Sequence, residues 1–254
     1  MGAGHTHPLY LDGTSPLHRL PAEVKIVCAV VFVFAVVATP REAFWAFAGY
    51  IAVLVVIWRI AGIALTWIAP RMLIELPFVT LAVLLPFAEG GDRVTVAGLS
   101  LSVAGLYGAW GILVKGTLGV LASLTLAATT PARDLPLGLA RLRVPAMLTT
   151  IVVLMLRYLD LLTAEVERMR TARLSRGDDP RTLRQIGATA RGVGGLFVRS
   201  YERGERVHLA MLSRGFTGSV PTIGAPPATA ATWRAGLVPA VCAVGICFSA
   251  WVLR

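Results

Sequence analysis

Apolar and polar positions in this chain segregate over tens of residues, with long uncharged runs separated by short knots of arginine, proline and glycine. After a polar stretch broken by Pro8, Pro16 and Pro21, apolar runs extend from about Val24 to Ala38, Ala43 to Trp58, Met72 to Phe87, Leu99 to Ala128 and Ala235 to Leu253. A short apolar piece ending near Trp67 follows the second run, and Gly224 to Thr232, rich in Pro, Ala and Thr, reads as a linker before the last. The interruptions Thr39-Pro40-Arg41, Pro70-Arg71 and Glu89-Gly90-Gly91-Asp92-Arg93 carry residues that end helices or turn the chain. A helix crossing a hydrocarbon core needs roughly 17 to 25 residues. The pattern therefore predicts five membrane spans.

Between Val144 and Gly215 the periodicity becomes that of amphipathic helices. Leu148, Ile151, Met155, Tyr158, Leu162, Val166 and Met169 recur at steps of three and four, while Arg157, Asp160, Glu167 and Arg170 point elsewhere. Gly177 is the natural stop of this helix. A second helix opens on Asp179-Pro180, a capping carboxylate followed by a proline suited to the first helical position. It places Leu183, Ile186, Ala190, Val193 and Phe197 on one face and ends at Gly215. Both helices close on the same three residues, Ser175-Arg176-Gly177 and Ser213-Arg214-Gly215, 38 positions apart. Each therefore presents an arginine at a C-terminus, where the helix dipole favours a cation.

The run from Val144 to Leu162 is apolar enough to resemble a sixth span. Only about a dozen residues separate Arg143 from Arg157, and both flanks are arginine-rich, with Arg141 and Arg143 before and Arg157, Arg168, Arg170 and Arg173 after. A span here would place one cluster outside, against the positive-inside tendency. The segment reads instead as a helix at the cytoplasmic face or buried within the protein, continuous with the one ending at Gly177. With five spans and a cytoplasmic N-terminus, Arg19, Lys25, Arg59, Arg71 and the arginine-rich region lie inside, and Arg41, Arg93 and Arg254 outside.

Composition agrees with a membrane protein: 56% of the 254 residues are hydrophobic and 15% charged, where soluble domains carry about 25% charged. The first 22 residues show no apolar core of a cleavable signal peptide. Of the net charge of +10, most sits between Arg133 and Arg234, where sixteen arginines and no lysine face eight acids. That fits a solvated basic face beside anionic head groups. Nucleic acid is disfavoured because no binding motif is present and the basic residues flank membrane segments. Cys28, Cys242 and Cys247 lie inside apolar runs with no metal or disulfide spacing, and read as reduced, lipid-buried thiols.

These residues resemble a known family, the transmembrane T component of energy-coupling factor transporters, and most closely its cobalt-transport group, CbiQ-like proteins. The resemblance covers nearly the whole chain. It rests on Ser15-Pro16-Leu17-His18 with Val24-Lys25, on Leu84-Leu85-Pro86-Phe87, on Ala127-Ala128-Thr129-Thr130-Pro131 with Leu142-Arg143-Val144-Pro145, and on Glu167 through Arg173. The two triplets are its most specific part; they resemble paired Ala-Arg-Gly motifs, with serine in place of alanine both times.

The resemblance implies an all-α polytopic protein of about five transmembrane helices with long cytoplasmic amphipathic coupling helices. On that basis residues 1–130 hold about four spans, 131–223 a cytoplasmic coupling domain, and 224–254 the linker and last span. It further implies a non-catalytic subunit of a cobalt importer in the bacterial inner membrane. Such a subunit links two cytoplasmic ABC-type ATPases, which bind the ATP, to a separate membrane subunit carrying the metal site. Arg176 and Arg214 would each enter a groove of one ATPase, with Ser175, Gly177, Ser213 and Gly215 permitting close approach. The stripe of Leu148, Ile151, Met155 and Tyr158 would face the substrate-binding subunit. No cofactor or metal would be held by this chain, and nickel or vitamin importers of the same type are the nearest alternatives.

Other features read as structural. His5 and His7 lack a third ligand at suitable spacing and sit in a polar tail. Lys115 is a charge at membrane depth, read as reaching an acid or the interface, with Gly116, Gly119 and Ala122 allowing close helix packing. Arg157 and Asp160, three apart, are spaced for an intrahelical pair. A membrane-embedded enzyme is disfavoured by the absence of a nucleophile elbow, a His-Glu-x-x-His or an acid cluster. A scaffold or stand-alone carrier leaves the duplicated triplet unexplained.

Overall fold

The computed structural model describes residues 9–88, 90, 93–96, 99–177, 186–218 and 227–253. The chain is α-helical and divides into two compact units. One takes the described residues from 6 to 138 together with those from 224 onward, and the other those from 139 to 223.

In the first unit α1 (Pro16–Arg19) is capped by the Ser15 side chain, which accepts from the His18 amide. The helices α2 (Ala22–Ala38), α3 (Phe44–Ala61), α6 (Val103–Thr129) and α11 (Val238–Val252) share one core. At its centre Tyr50 is fully buried. The Thr39 hydroxyl donates to the Ala35 carbonyl (2.8 Å), and the Tyr50 hydroxyl lies 2.7 Å from Thr39 Oγ1 and 3.3 Å from the carbonyl of Ala243. The Trp58 indole donates to Thr125 Oγ1 (2.8 Å), joining α3 to α6. Midway along α6, Lys115 donates to the Val37 carbonyl (2.7 Å), so this lysine closes an interhelical contact. In lipid, where apolar surface has no water to escape, such packing and interhelical bonds hold helices together. Phe34, Val56, Leu84 and Phe248 meanwhile remain exposed, as lipid-facing side chains do.

The expected spans appear as helices with shifted boundaries. The third starts earlier than Met72: a helical stretch Leu65–Phe87 passes through α4 (Leu65–Ile68), a 3-10 segment Ala69–Glu75 and α5 (Leu76–Ala88). Pro70 occupies the first turn of the 3-10 segment, where its missing N–H costs no bond. The Arg71 guanidinium caps the preceding turn through the Trp67 carbonyl and lies 3.9 Å from the Trp67 ring centroid. The fourth starts later than Leu99, because Leu99–Ser102 (β2) pairs antiparallel with Arg93–Val96 (β1), and helix α6 begins only at Val103. The last span is bent by 46° between α10 (Ala230–Gly236) and α11, with a proline in the first turn of α11.

Among the described residues four helices qualify as spans by length and composition: α3, Leu65–Phe87, α6 and α8 (Ala146–Leu174); the bent α10–α11 pair makes five. Helix α2, at 17 residues, sits at the lower limit of spanning length. The apolar window of α8 has a mean hydropathy of 1.7, so the dozen residues between Arg143 and Arg157 understate its length: Arg157 and Asp160 fall inside a continuous helix. Helix α8 joins the apolar segment to the one ending at Gly177 without a break, as expected.

Helices α5 and α6 approach very closely. A Cβ at Gly105 would lie 2.7 Å from the Pro86 Cα and 2.9 Å from the Leu85 carbonyl oxygen. Gly116 likewise approaches the Glu75 carboxylate, which accepts from Thr117 Oγ1 (2.8 Å), whereas Gly119 meets nothing within 4 Å. Gly105 and Gly116 thus mark close approaches of α6 to its neighbours, and Ala122, as expected, is buried in the core. The cysteines form no disulfide; Cys28 and Cys247 are half-buried and Cys242 is exposed.

Candidate functional site

The second unit contains α8 and α9 (Ile186–Leu212), and the two triplets close them with the same hydrogen bonds. At the end of α8 the amides of Ser175, Arg176 and Gly177 donate to the carbonyls of Thr171, Arg173 and Leu174, each at 3.0 Å, and Ser175 Oγ donates to Ala172 (3.1 Å). At the end of α9 the amides of Ser213, Arg214 and Gly215 donate to Leu209, Met211 and Leu212, each at 3.0 Å, and Ser213 Oγ donates to Ala210 (3.0 Å). The serine hydroxyls therefore satisfy helix-end carbonyls three residues back, a function alanine cannot perform. Gly177 and Gly215 have φ of 75° and 80°, the left-handed region where a Cβ is strained. After Gly215 the Phe216 amide returns to the Met211 carbonyl (3.0 Å), completing a Schellman cap.

Arg176 and Arg214 are exposed. Among the described residues neither guanidinium has an ion-pair or hydrogen-bond partner. A Cβ at Gly177 or Gly215 would meet no atom of this chain within 4 Å, so within the chain these glycines are required by backbone conformation and not by a close neighbour. The two arginines thus occupy matched positions at C-terminal helix ends, with no partner for their N–H donors among the described residues.

The two helices meet through a contact that in-helix spacing does not reveal. The Glu165 carboxylate binds Arg168 on its own helix (2.6 Å) and Arg199 of α9 (3.7 Å), and Arg199 also donates to the Met169 sulfur (3.0 Å). Only knowledge of the connection between the helices could have placed Arg199 opposite Glu165. Further exposed pairs run along each helix, Arg170 to Glu167 (3.8 Å) and Arg206 to Glu202 (3.9 Å). Among the described residues Arg157 and Asp160 do not pair.

The apolar stripes are largely uncovered. On α8, Leu148, Ile151 and Met155 are exposed and Tyr158 half-buried, and further along Leu162 and Met169 are half-buried and Val166 exposed. On α9 the apolar face of Ala190, Val193 and Phe197 is exposed, with Phe197 at 71%. The half-buried positions are instead Gly192, Leu196, Ser200, Arg203, Val207 and Met211, a different stripe of the same helix. Asp179-Pro180 and Leu183, the side chain of Ile186, and His5 and His7 lie outside the described residues. Among the described residues no cluster of three His, Cys, Asp or Glu is placed to hold a metal ion.

Residues 13–223 match a family of known proteins whose description is cobalt transport protein, CbiQ, a stretch that includes both triplets. The chain belongs to the CbiQ family. It is 30% identical over 131 residues to the cobalt transport protein CbiQ of Rhodobacter capsulatus, covering 52% of this chain and 54% of that one. It is 34% identical over 115 residues to an uncharacterized protein of Methanocaldococcus jannaschii, covering 43% and 42%. The chain thus spans about half the length of these relatives. A longer match, 28% over 224 residues and 83% and 82% of the two chains, is to the energy-coupling factor transporter transmembrane protein EcfT of Thermanaerovibrio acidaminovorans. Membership of the CbiQ family and several helices of spanning length together make this a multi-pass membrane protein.

Proposed function

We propose that this CbiQ-family chain is the energy-coupling transmembrane subunit of an ATP-driven cobalt importer, without catalytic residues or cofactor of its own. Residues 131–223 form its cytoplasmic coupling part, and its spans lie in the bacterial inner membrane with the N-terminus inside. Two cytoplasmic ATPases bind and hydrolyse ATP, and a separate membrane subunit holds the metal. The observation that carries this reading is the pair of identically built helix ends, each presenting one unpartnered arginine. One ATPase per arginine explains why the device occurs twice.

Each guanidinium enters a groove of one ATPase and meets a carboxylate there in two parallel hydrogen bonds, a geometry that lysine does not reproduce. ATPase closure moves the two helix ends. The uncovered stripe of Leu148, Ile151 and Met155, with Tyr158, passes that motion to the substrate-binding subunit. The positive-inside asymmetry supports placing α8 at the cytoplasmic face.

The test is purification from mildly solubilised membranes of the wild type and of Arg176→Ala, Arg214→Ala and the double variant. An ATPase pair is expected with the wild type and is lost from the double variant. Each single change should cost about 2 to 5 kcal/mol of the interaction and abolish most cobalt uptake. Full uptake in either single variant at normal membrane abundance would refute separate roles for the two arginines.

A further inference from the structure

Away from the two arginine ends, a charged contact joins the helices that carry them. On α8 the half-buried positions Leu162, Glu165, Met169 and Arg173 recur at steps of three and four, and on α9 Leu196, Ser200, Arg203 and Val207 do the same. Glu165 stands in the first stripe. Its Oε2 accepts from Arg168 on its own helix (2.6 Å), leaving Oε1 to face Arg199 of α9 (3.7 Å), and the Arg203 charge acts on the same carboxylate. Arg199 is held from a second side, because it donates to the Met169 sulfur one turn further along α8 (3.0 Å). The pairs Arg170–Glu167 and Arg206–Glu202, by contrast, each lie within one helix.

As a source of stability, half-exposed pairs of this kind are worth little. As a source of position this one has leverage. Arg176 lies eleven residues beyond Glu165 and Arg214 fifteen beyond Arg199, which is about 16 and 22 Å along the helix axes at the usual rise. A turn of about 10° at the contact therefore moves a helix end by about 3 to 4 Å, several times the roughly 0.5 Å within which a binding group must be placed. Without the Glu165 charge, Arg168 of α8 and Arg199 and Arg203 of α9 would face one another with no carboxylate at their centre, and attraction would give way to repulsion.

We propose that Glu165 is a positioning residue for energy coupling: by attracting Arg199 it sets the angle of α9 on α8 and with it the spacing of Arg176 and Arg214. This role rests on the coupling function proposed above, and it falls to a residue outside both triplets.

Two measurements separate the role from the function beneath it. In the full chain, solubilised and carrying Cys28→Ser, Cys242→Ser and Cys247→Ser, spin labels at Leu174→Cys and Leu212→Cys report the distance between the two helix ends by double electron–electron resonance. Glu165→Gln should shift or broaden that distance by about 3 Å, whereas Glu167→Gln and Glu202→Gln, which remove pairs within one helix, should leave it in place. In the assembled transporter with native cysteines, Glu165→Gln should still bring down both ATPases, since both arginines remain, yet move roughly tenfold less cobalt per ATP hydrolysed. Should Glu165→Gln fail to accumulate in membranes, Arg199→Gln removes the same tie and leaves Glu165 paired with Arg168. An unchanged distance in a folded variant overturns the role of the tie, whatever the ATPases do. A shifted distance with unchanged cobalt per ATP overturns its part in coupling. Absence of the ATPases from the wild type overturns the coupling function itself, and this role with it.

Discussion

Among the described residues four helices end in a left-handed turn, and three of them have glycine there, Gly62, Gly177 and Gly215. At the other, the end of α7 (Leu135–Arg141), Arg143 has φ of 61°. Its amide returns to Ala140 and that of Val144 to Leu139, both at 3.1 Å, the same Schellman pattern as at Gly215. A side chain in this conformation costs on the order of 1 kcal/mol, so the residue scale yields two predictions of opposite sign. Gly215→Ala should lower the thermal midpoint of the detergent-solubilised chain by roughly 1 kcal/mol of stability, with Gly215→Asn costing less. Arg143→Gly should raise it by roughly half that, since glycine also loosens the unfolded chain. Equal midpoints for Gly215→Ala and wild type would mean the turn does not hold its shape in solution.

His18 offers a pH test at the same scale. Its ring lies 2.7 Å from Ser15 Oγ and 3.1 Å from the Leu11 carbonyl, so the neutral ring donates from Nε2 and accepts at Nδ1. Burial holds its pKa below the ordinary histidine value, with the Lys25 charge adding to that, against the Leu11 carbonyl and Asp12. The folded state therefore binds its proton less readily than the unfolded chain. The resulting stability is present above about pH 6.5 and is lost as pH falls from there toward the folded pKa. The wild type should thus lose a little stability between neutral pH and pH 5 that His18→Gln does not lose; parallel curves for the two would remove His18 as the cause.

At the scale of elements, what the sequence could show was set by which neighbour each residue answers to. Uncharged runs predict spans because bilayer thickness is one requirement imposed on every helix alike, and α2, α3, α6 and α11 fall close to the expected positions. The exceptions follow from local chemistry. Pro70 reads as a stop, yet it sits in the one turn where proline is free to start a helical segment. In the ribbon, β2 falls at the start of the apolar run that predicts the fourth span, and Val94 and Val96 of β1 alternate too briefly to be distinguished from helix. The covered face of α9 depends on partners in three dimensions, which is why the stripe at Val193 and Phe197 was legible as apolar but not as uncovered.

Two element contacts are open to mutation. Gly105→Ala would push a Cβ to 2.7 Å from backbone atoms of Pro86, which cannot move aside as a side-chain tip can. It should separate α5 from α6 and cost about 1 to 3 kcal/mol, read as a lower thermal midpoint. Thr125→Val strands the buried Trp58 indole N–H and should cost about 1 to 3 kcal/mol. Trp58→Phe leaves Thr125 still bonded to the Leu121 carbonyl and should cost less, whereas equal midpoints for Thr125→Val and the wild type would speak against the hydrogen bond as the reason for the pairing.

For the whole molecule, the candidate site was legible to the residue because it is written twice in contiguous letters, and the structure adds that both copies fold into the same turn. The tie between α8 and α9 through Glu165 and Arg199 was not legible, since it joins residues 34 positions apart across a connection whose path no spacing rule fixes. The chain order has a further consequence. The membrane-spanning unit is built from both ends of the sequence, and its central hydroxyl, on Tyr50, lies 3.3 Å from a carbonyl 193 residues later. At a ribosomal rate of about 5 to 20 residues per second, α2 and α3 wait roughly 10 to 40 seconds for α11 to arrive. During that interval the newborn protein stands in the bilayer with an unfinished core. A stop codon before Val238 should therefore yield a product that membrane proteases clear far faster than the full chain in a pulse-chase, which makes the last helix a checkpoint on biosynthesis as well as a wall of the finished bundle.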